Sequence, residues 1–335
     1  MSTASQSNST TTSSCAIVVT YYPEMAALLK LLSQLNRETD FLVIDNGSAD
    51  AERLRNSIVA YSRCLEFRQL AENVGLAQAL NYGLEEVQKR NYQFALLFDQ
   101  DSSLGDLYVE SMLAAYQEAL EDGGVVEGGE EVEGGEVEGR EAGGAESSRG
   151  VDRKIAAIGP RVINPQTRRL TPFKLFNRIV FRSDRPFHDS RHLFQADILI
   201  TSGTLLPLSC LDDIGPMKAS YFIDNVDLEW CFRAKSLGYE LAGTDRAILY
   251  HAIGERSDDP LVRKGLLAKH NPDRTYYSSR NRVHLYGVGY SPWGWKLRDF
   301  VRFFIKTSWL ILTSSQRRQY WQNIIAGIKD ARSLS

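Results

Sequence analysis

Cysteine is scarce in this chain of 335 residues, and its placement excludes a good deal. Cys15, Cys64, Cys210 and Cys231 lie far apart without metal-ligand spacing, so no zinc site is indicated. Cys15 and Cys210 adjoin apolar runs and read as small core residues. No run of 18 or more apolar residues exists, so no membrane-spanning helix is expected. The first fourteen residues are rich in Ser and Thr and lack an apolar stretch, so no secretory leader is expected and the segment reads as a disordered tail. A reducing, cytoplasmic compartment follows. Net charge is only −3, which gives no pull toward nucleic acid. That average hides an asymmetry. Residues 121–150 hold ten acids and two arginines, a balance of −8, which leaves the remainder near +5. This Gly/Glu-rich stretch cannot bury a core and reads as a disordered insertion in a surface loop.

What is present is an alternation of short apolar runs and amphipathic stretches. Cys15–Thr20, Phe41–Ile44, Leu65–Gln69 and Phe94–Phe98 read as buried strands. Helical spacing follows them at 24–35, 51–62, 76–89 and 106–120. A further strand is expected at 154–160, a helix at 224–237 closed by Gly238, and a strand at 247–250. Strand–helix alternation of this kind predicts an α/β fold, a doubly wound and mainly parallel sheet flanked by helices. Ligands of such sheets gather at the carboxyl ends of the strands.

Several strand ends carry polar chemistry. Asp99-Gln100-Asp101 follows the apolar run 94–98, and two carboxylates so placed can hold a hard divalent cation beside a diphosphate. An exposed acidic turn is the plainer reading. Asp45-Asn46-Gly47-Ser48 and Asn73-Val74-Gly75 suit either ordinary strand-to-helix turns or close approach to a nucleotide. Asp224, Asp227 and Glu229 fall in the first turns of a predicted helix, where acids offset the helix dipole. Asp224 and Asp227, three apart, can share a face, and a carboxylate there suits a general base. His251 ends a strand, where it is a surface histidine or a nitrogen ligand to a metal. Arg280 follows Tyr276-Tyr277 and can grip a diphosphate or simply lie on a helix surface.

In this order the motifs resemble the inverting family 2 glycosyltransferases of the GT-A fold. They are Val-Val-Thr-Tyr-Tyr, Asp-Asn-Gly-Ser, Asn-x-Gly-x-Ala, Asp-Gln-Asp, Ser-Gly-Thr, the acidic helix and His-x-x-Gly. The stretch from Phe222 to Ala234 and the Tyr276–Asn281 segment are similar to rhamnosyltransferases that use dTDP-rhamnose. The resemblance covers about 15–290 without the insertion, which would form one GT-A domain. It implies a nucleotide-diphosphate sugar donor held by Thr20, Tyr22, Asp45, Asn73, Gly75, Asp99, Gln100, Asp101 and Arg280. Asp99 would meet the ribose, while Asp101 and His251 would hold Mg²⁺ or Mn²⁺. Ser202, Gly203, Thr204, Glu229 and Trp230 would lie on the acceptor side. The acceptor would be a glycan or polyprenyl-linked glycan of a cell-wall or O-antigen polysaccharide. Many family members place two adjacent acids where this chain has Asp224-Asn225, and a neutral amide cannot act as base. Asp224 or Asp227 must serve, with Asp224 slightly favoured.

Residues 291–335 mix aromatics, aliphatics and cations, and read as an amphipathic helical extension. Such a segment suits a membrane surface, which would make the protein peripheral on the inner face, or packing against the domain or a partner subunit. Two rival functions are weighed. A nucleotidyltransferase would carry a Gly-rich phosphate loop after its first strand, and Thr20-Tyr21-Tyr22-Pro23 is not one. A non-catalytic sugar- or lipid-binding protein is motivated by Asn225.

Overall fold

A computed structural model describes residues 13–121, 153–176, 182–252 and 272–334. The proposed tail up to residue 12 and nearly all of the acidic insertion lie outside the described residues. The first half alternates as anticipated: β1 (Ser14–Thr20), α1 (Met25–Glu38), β2 (Asp40–Asp45), α2 (Ala51–Ile58), β3 (Cys64–Gln69), α3 (Leu76–Lys89) and β4 (Phe94–Asp99). Then come β5 (Ser103–Leu104), α4 (Tyr108–Glu121), β6 (Ile155–Ile163), β7 (Leu170–Thr171), β8 (Lys174–Leu175), β9 (Arg182–Ser183), β10 (Leu193–Ala196) and β11 (Leu205–Pro207). The chain continues through α5 (Cys210–Ile214), α6 (Val226–Ser236), β12 (Glu240–Tyr250), α7 (Pro272–Gly287), α8 (Trp293–Thr313) and α9 (Arg317–Asp330).

The main sheet has the order β10-β12-β6-β11-β4-β1-β2-β3. β4, β1, β2 and β3 run parallel, as do β12 and β6, while β10 and β11 pair antiparallel with their neighbours. The sheet is therefore mixed rather than uniformly wound. Its β4–β1–β2 register brings Thr20 level with Asp45 and puts Asp99 beside Val19, so three polar strand ends share one edge.

Alternation along β1 decides what each face covers. Cys15, Ile17 and Val19 pack with α3 and α6, while Ala16 and Val18 pack with α1, α2 and α4. In α1, Leu28, Leu31, Leu32 and Leu35 recur at helical spacing and are fully buried, each stabilising the fold by roughly 1.5–3 kcal/mol. Helices α7 and α9 pack closely. A Cβ built on Gly327 would meet the Tyr276 carbonyl at 2.5 Å, so only glycine allows that approach. Tyr276 also donates to Asp330, and Asn323 to the Pro272 carbonyl. Cys15, Cys210 and Cys231 are buried thiols, in keeping with the core role expected for the first two.

Candidate active site

The donor-side loops are built from internal hydrogen bonds. Asp45 accepts from the Thr20 hydroxyl at 3.0 Å, the Ser48 hydroxyl at 2.6 Å and the Ser48 amide at 2.9 Å. Thr20 and Asp45 are both fully buried, so their hydrogen bonds join the ends of β1 and β2 from within. Asn46 and Asn73 bond to each other, and the Asn73 side chain also accepts from the Gly75 amide. Gly75 has φ +87°, open to glycine and costly to other residues. Tyr22 is exposed, with its amide on Ser48. Gln100 both accepts from the Tyr21 amide and donates to the Tyr21 carbonyl, which ties the loop after β1 to the turn after β4.

That turn carries the acids. His251 lies between them, with Nδ1 3.4 Å from Asp101 and Nε2 3.7 Å from Asp99. Burial pushes the Asp99 carboxyl up, countered by the His251 charge. The His251 hydrogen bond holds Asp101 below the usual carboxylate range. Burial works against charge on His251, but the bond to Asp101 and the charges of Asp99 and Asp101 prevail and raise its pKa. Ser202 supports this arrangement from behind: its hydroxyl accepts from the Asp99 amide and bonds to Ser102, which reaches His251 Nδ1 at 3.5 Å.

The second acidic cluster departs from the expected helix. Asp224 does not lie in α6. Phe222, Asp224 and Asn225 all have φ near +60°, without a glycine among them. The Ile223 amide donates to the Tyr221 carbonyl at 2.7 Å, closing a γ-turn over Phe222, a rare form when φ is positive. Such residues cost about 1–3 kcal/mol each, and they persist where surroundings over-determine them. Here Asn281, fully buried, donates to the carbonyls of Tyr221, Ile223 and Asp224 at 2.8–2.9 Å, and Phe222 stacks on Tyr277. The turn sends the two acids to different partners, so they do not share a helical face. Asp224 is gripped by Arg274, Nη2 to Oδ1 at 2.8 Å and Nε to both oxygens at 3.1 Å. Asp227 stands in the first turn of α6 and accepts from the Leu228 amide at 2.9 Å. Burial, then the Asp224 and Asp99 charges, push its carboxyl up to about 6 despite that bond.

Other expected site residues fall elsewhere. Ser202, Gly203 and Thr204 are buried; the Gly203 amide and the Thr204 carbonyl bond β4 at Leu97, so they buttress the strand. Glu229 and Trp230 are also buried. Glu229 is taken by Arg233, one helical turn on, and by Tyr290, while Trp230 donates to the Gly215 carbonyl. Arg280 donates to the Ser220 carbonyl and lies against the rings of Tyr276 and Tyr277. The arginine facing the acids is Arg274, six residues earlier and on another side of α7. Sequence reasoning missed Arg274, because nothing local marks a partner 50 residues away.

Residues 16–180 match the family described as glycosyl transferase family 2. The dTDP-rhamnosyl transferase RfbF of Shigella flexneri is 23% identical over 325 residues, covering 96% of each chain. Among solved structures, GalNAc-T7 with UDP, GalNAc and Mn²⁺ is similar with TM-score 0.56 at 12% identity, over 96% of this chain and 56% of that one. S. aureus TarS 1-349 in complex with UDP-GlcNAc is similar with TM-score 0.52 at 15% identity, over 96% of this chain and 83% of that one. At such identities the likeness is one of fold, and this chain spans just over half of the GalNAc-T7 chain. With a strand-end acid pair, this sheet order, the match over 16–180 and a relative aligned over 96% of both chains, residues 16–180 form a domain of the glycosyl transferase family 2 type within a chain of GT-A architecture.

Proposed function

We propose that this glycosyltransferase moves rhamnose from dTDP-rhamnose to a hydroxyl of a glycan or lipid-linked glycan, with inversion and with a divalent metal. The donor sugar rests on the relative's name. The observation that carries the mechanism is the separation of Asp227 from Asp224: one acid is neutralised by an arginine, the other is poised near neutrality. Asp227 is therefore the base, in place of the Asp224 that the sequence slightly favoured. It takes the proton of the acceptor hydroxyl as that oxygen attacks the anomeric carbon. Asp224 and Arg274 position the turn that holds it.

Thr20, Tyr22, Asp45, Asn73 and Gly75 would frame the base pocket, and Asp99 would meet the ribose. Two carboxylates, each within 4 Å of the same imidazole, make a donor set that suits Mg²⁺ or Mn²⁺. The described residues contain no group of three spaced to enclose a cation alone, so Asp101 and His251 would share it with diphosphate oxygens. When bound, the metal supplies charge neutralisation for the departing dTDP. Among the described residues no helix is long and apolar enough to cross a membrane. The outward side of α8 exposes Trp293, Leu297, Phe300, Val301, Phe304, Ile305 and Leu312, which supports a peripheral position on a membrane surface.

The test is nucleotide release by the purified chain with Mn²⁺ across dTDP-, UDP- and GDP-sugars. Fastest release from dTDP-rhamnose is expected. Preference for another nucleotide sugar overturns the donor assignment, and absence of release from all of them overturns the enzymatic reading.

A further inference from the structure

Helix α8 has two unlike sides. Its inner side is fixed by contacts: Trp295 and Leu310 are buried, Asp299 pairs with Arg282 at 2.6 Å, and the Arg282 guanidinium lies over Phe303. Arg298, Arg302 and Lys306 recur every four residues, so they form one stripe along the edge of that inner side, with Arg298 and Lys306 half-buried and Arg302 exposed. Arg298 lies over Phe176. Arg302 and Lys306 lie within electrostatic reach of each other, and Arg302 also reaches Lys174 of β8. Lys174 in turn reaches Asp227, and Lys306 reaches Asp224. The cluster therefore lies on the Asp227 side of the site. The charges acting on Asp99, Asp101 and His251 are chiefly their own.

Asp227 and Asp224 act on Lys174 and Lys306 only from a distance, without a direct ion pair. Arg274 spends its charge on Asp224 and Arg282 on Asp299. Among the described residues no carboxylate pairs with Lys174, Arg302 or Lys306. Gathering like charges in a half-buried place is unfavourable without a counter-ion. Lys306 registers this directly: burial, then Arg282 and Arg302, push its amine down to about 8. Beside Lys174 runs a pocket lined by Pro172, Phe173, Ile198, Ile200 and Thr204, mostly apolar.

We propose that Lys174, Arg302 and Lys306 bind a phosphate group carried by the acceptor, beside the base Asp227 and apart from the donor diphosphate. This deepens the proposed glycosyl transfer and rests on it: the acceptor is anionic, and its phosphate sets the distance from Asp227 to the attacking hydroxyl. The phosphate belongs to a lipid carrier or to the glycan itself. A helix with a cationic stripe beside an outward apolar face suits an amphiphile, whose head and tail part between the two.

The experiment titrates inorganic phosphate and farnesyl phosphate into the full chain saturated with dTDP and Mg²⁺, at low ionic strength, and reads dTDP affinity separately. Both probes are expected to bind. Arg302→Gln with Lys306→Gln should weaken both by about tenfold or more, as loss of charge-assisted hydrogen bonds does. Lys174→Gln, on a different element, should act in the same direction, and Lys306→Arg should retain most of the binding. Tighter binding of farnesyl phosphate than of inorganic phosphate assigns the group to a lipid, and equal binding assigns it to the glycan. Unchanged phosphate affinity in the variants overturns the proposal, as does a parallel loss of dTDP affinity, which would give the cations to the donor. Absence of dTDP binding by the unaltered chain is a separate result and marks failure of the glycosyl-transfer reading instead.

Discussion

Replacing Asp227 with Asn separates catalysis from stability, and the structure sets the sign of both effects. The carboxyl group is pushed from 3.8 to about 6 by burial and by Asp224 and Asp99. A carboxyl group with a raised folded pKa opposes folding when ionised, so its penalty is absent below about pH 4 and grows until pH 6. The interval corresponds to roughly 3 kcal/mol at about 1.4 kcal/mol per pH unit, and partial solvent access reduces it to about 1–2 kcal/mol. Asp227→Asn removes the charge while keeping the shape and the acceptor oxygen for the Leu228 amide. At pH 7.5 the variant should therefore melt a few degrees higher than the unaltered chain. Turnover should fall by about a hundredfold or more, the usual contribution of a general base. The base must be ionised to act, so kcat/KM of the unaltered chain should rise about tenfold per pH unit up to about 6 and then level off. The assay is dTDP release under saturating metal, with dTDP affinity measured alongside, and thermal melting at pH 5 and 7.5. A variant with undiminished turnover would refute the assignment, and one that melts lower at pH 7.5 would refute the electrostatic account.

Asp101→Asn and His251→Ala should each raise the Mn²⁺ concentration for half-maximal activity about tenfold or more, and a chelator should abolish activity until Mn²⁺ is restored. Gly75→Ala forces a left-handed alanine, at about 1–2 kcal/mol, and a Cβ 2.6 Å from the Phe222 carbonyl oxygen. Lower melting and a loss of turnover are expected together; normal turnover would show that the two loops move independently. Phe300→Ser, Phe304→Ser and Ile305→Ser combined should reduce flotation with anionic vesicles by about tenfold or more, at roughly 1.5–3 kcal/mol per buried side chain. Unchanged flotation with a loss of self-association would instead make the apolar face a contact between copies.

β1, β2 and β4 were legible because each carries an unbroken apolar run closed by a polar turn, and the Asp99-Gln100-Asp101 turn was visible for the same reason; β3 showed only as the alternation of Leu65 and Phe67 with Glu66 and Arg68. β12 was only half visible: its Leu241–Thr244 part mixes small and polar residues and carries register shifts against β6. β11, only three residues long, pairs antiparallel with both β4 and β6, a placement that periodicity cannot foresee. The second acidic cluster was expected within a helix, whereas Asp224 precedes α6 in a left-handed turn. Left-handed backbone is ordinarily signalled by glycine, and here Phe222, Asp224 and Asn225 adopt it because Asn281 and Tyr277 hold them. Glu229 gave a signal that could have been used. Arg233 stands four residues later, the spacing of a helical ion pair, which argues for a braced carboxylate over a substrate contact.

Gly75 touches Phe222 without a side chain between them, and the Ala77 amide donates to the Phe222 carbonyl at 3.3 Å. The loop proposed to lie beneath the nucleotide and the turn that carries the proposed base are thus joined through backbone. Rotamers do not set the span between them. If the proposed roles hold, a displacement of that loop by the width of a methyl group would press on Phe222 and so on the turn before Asp227, registering the base against the donor before any acceptor arrives.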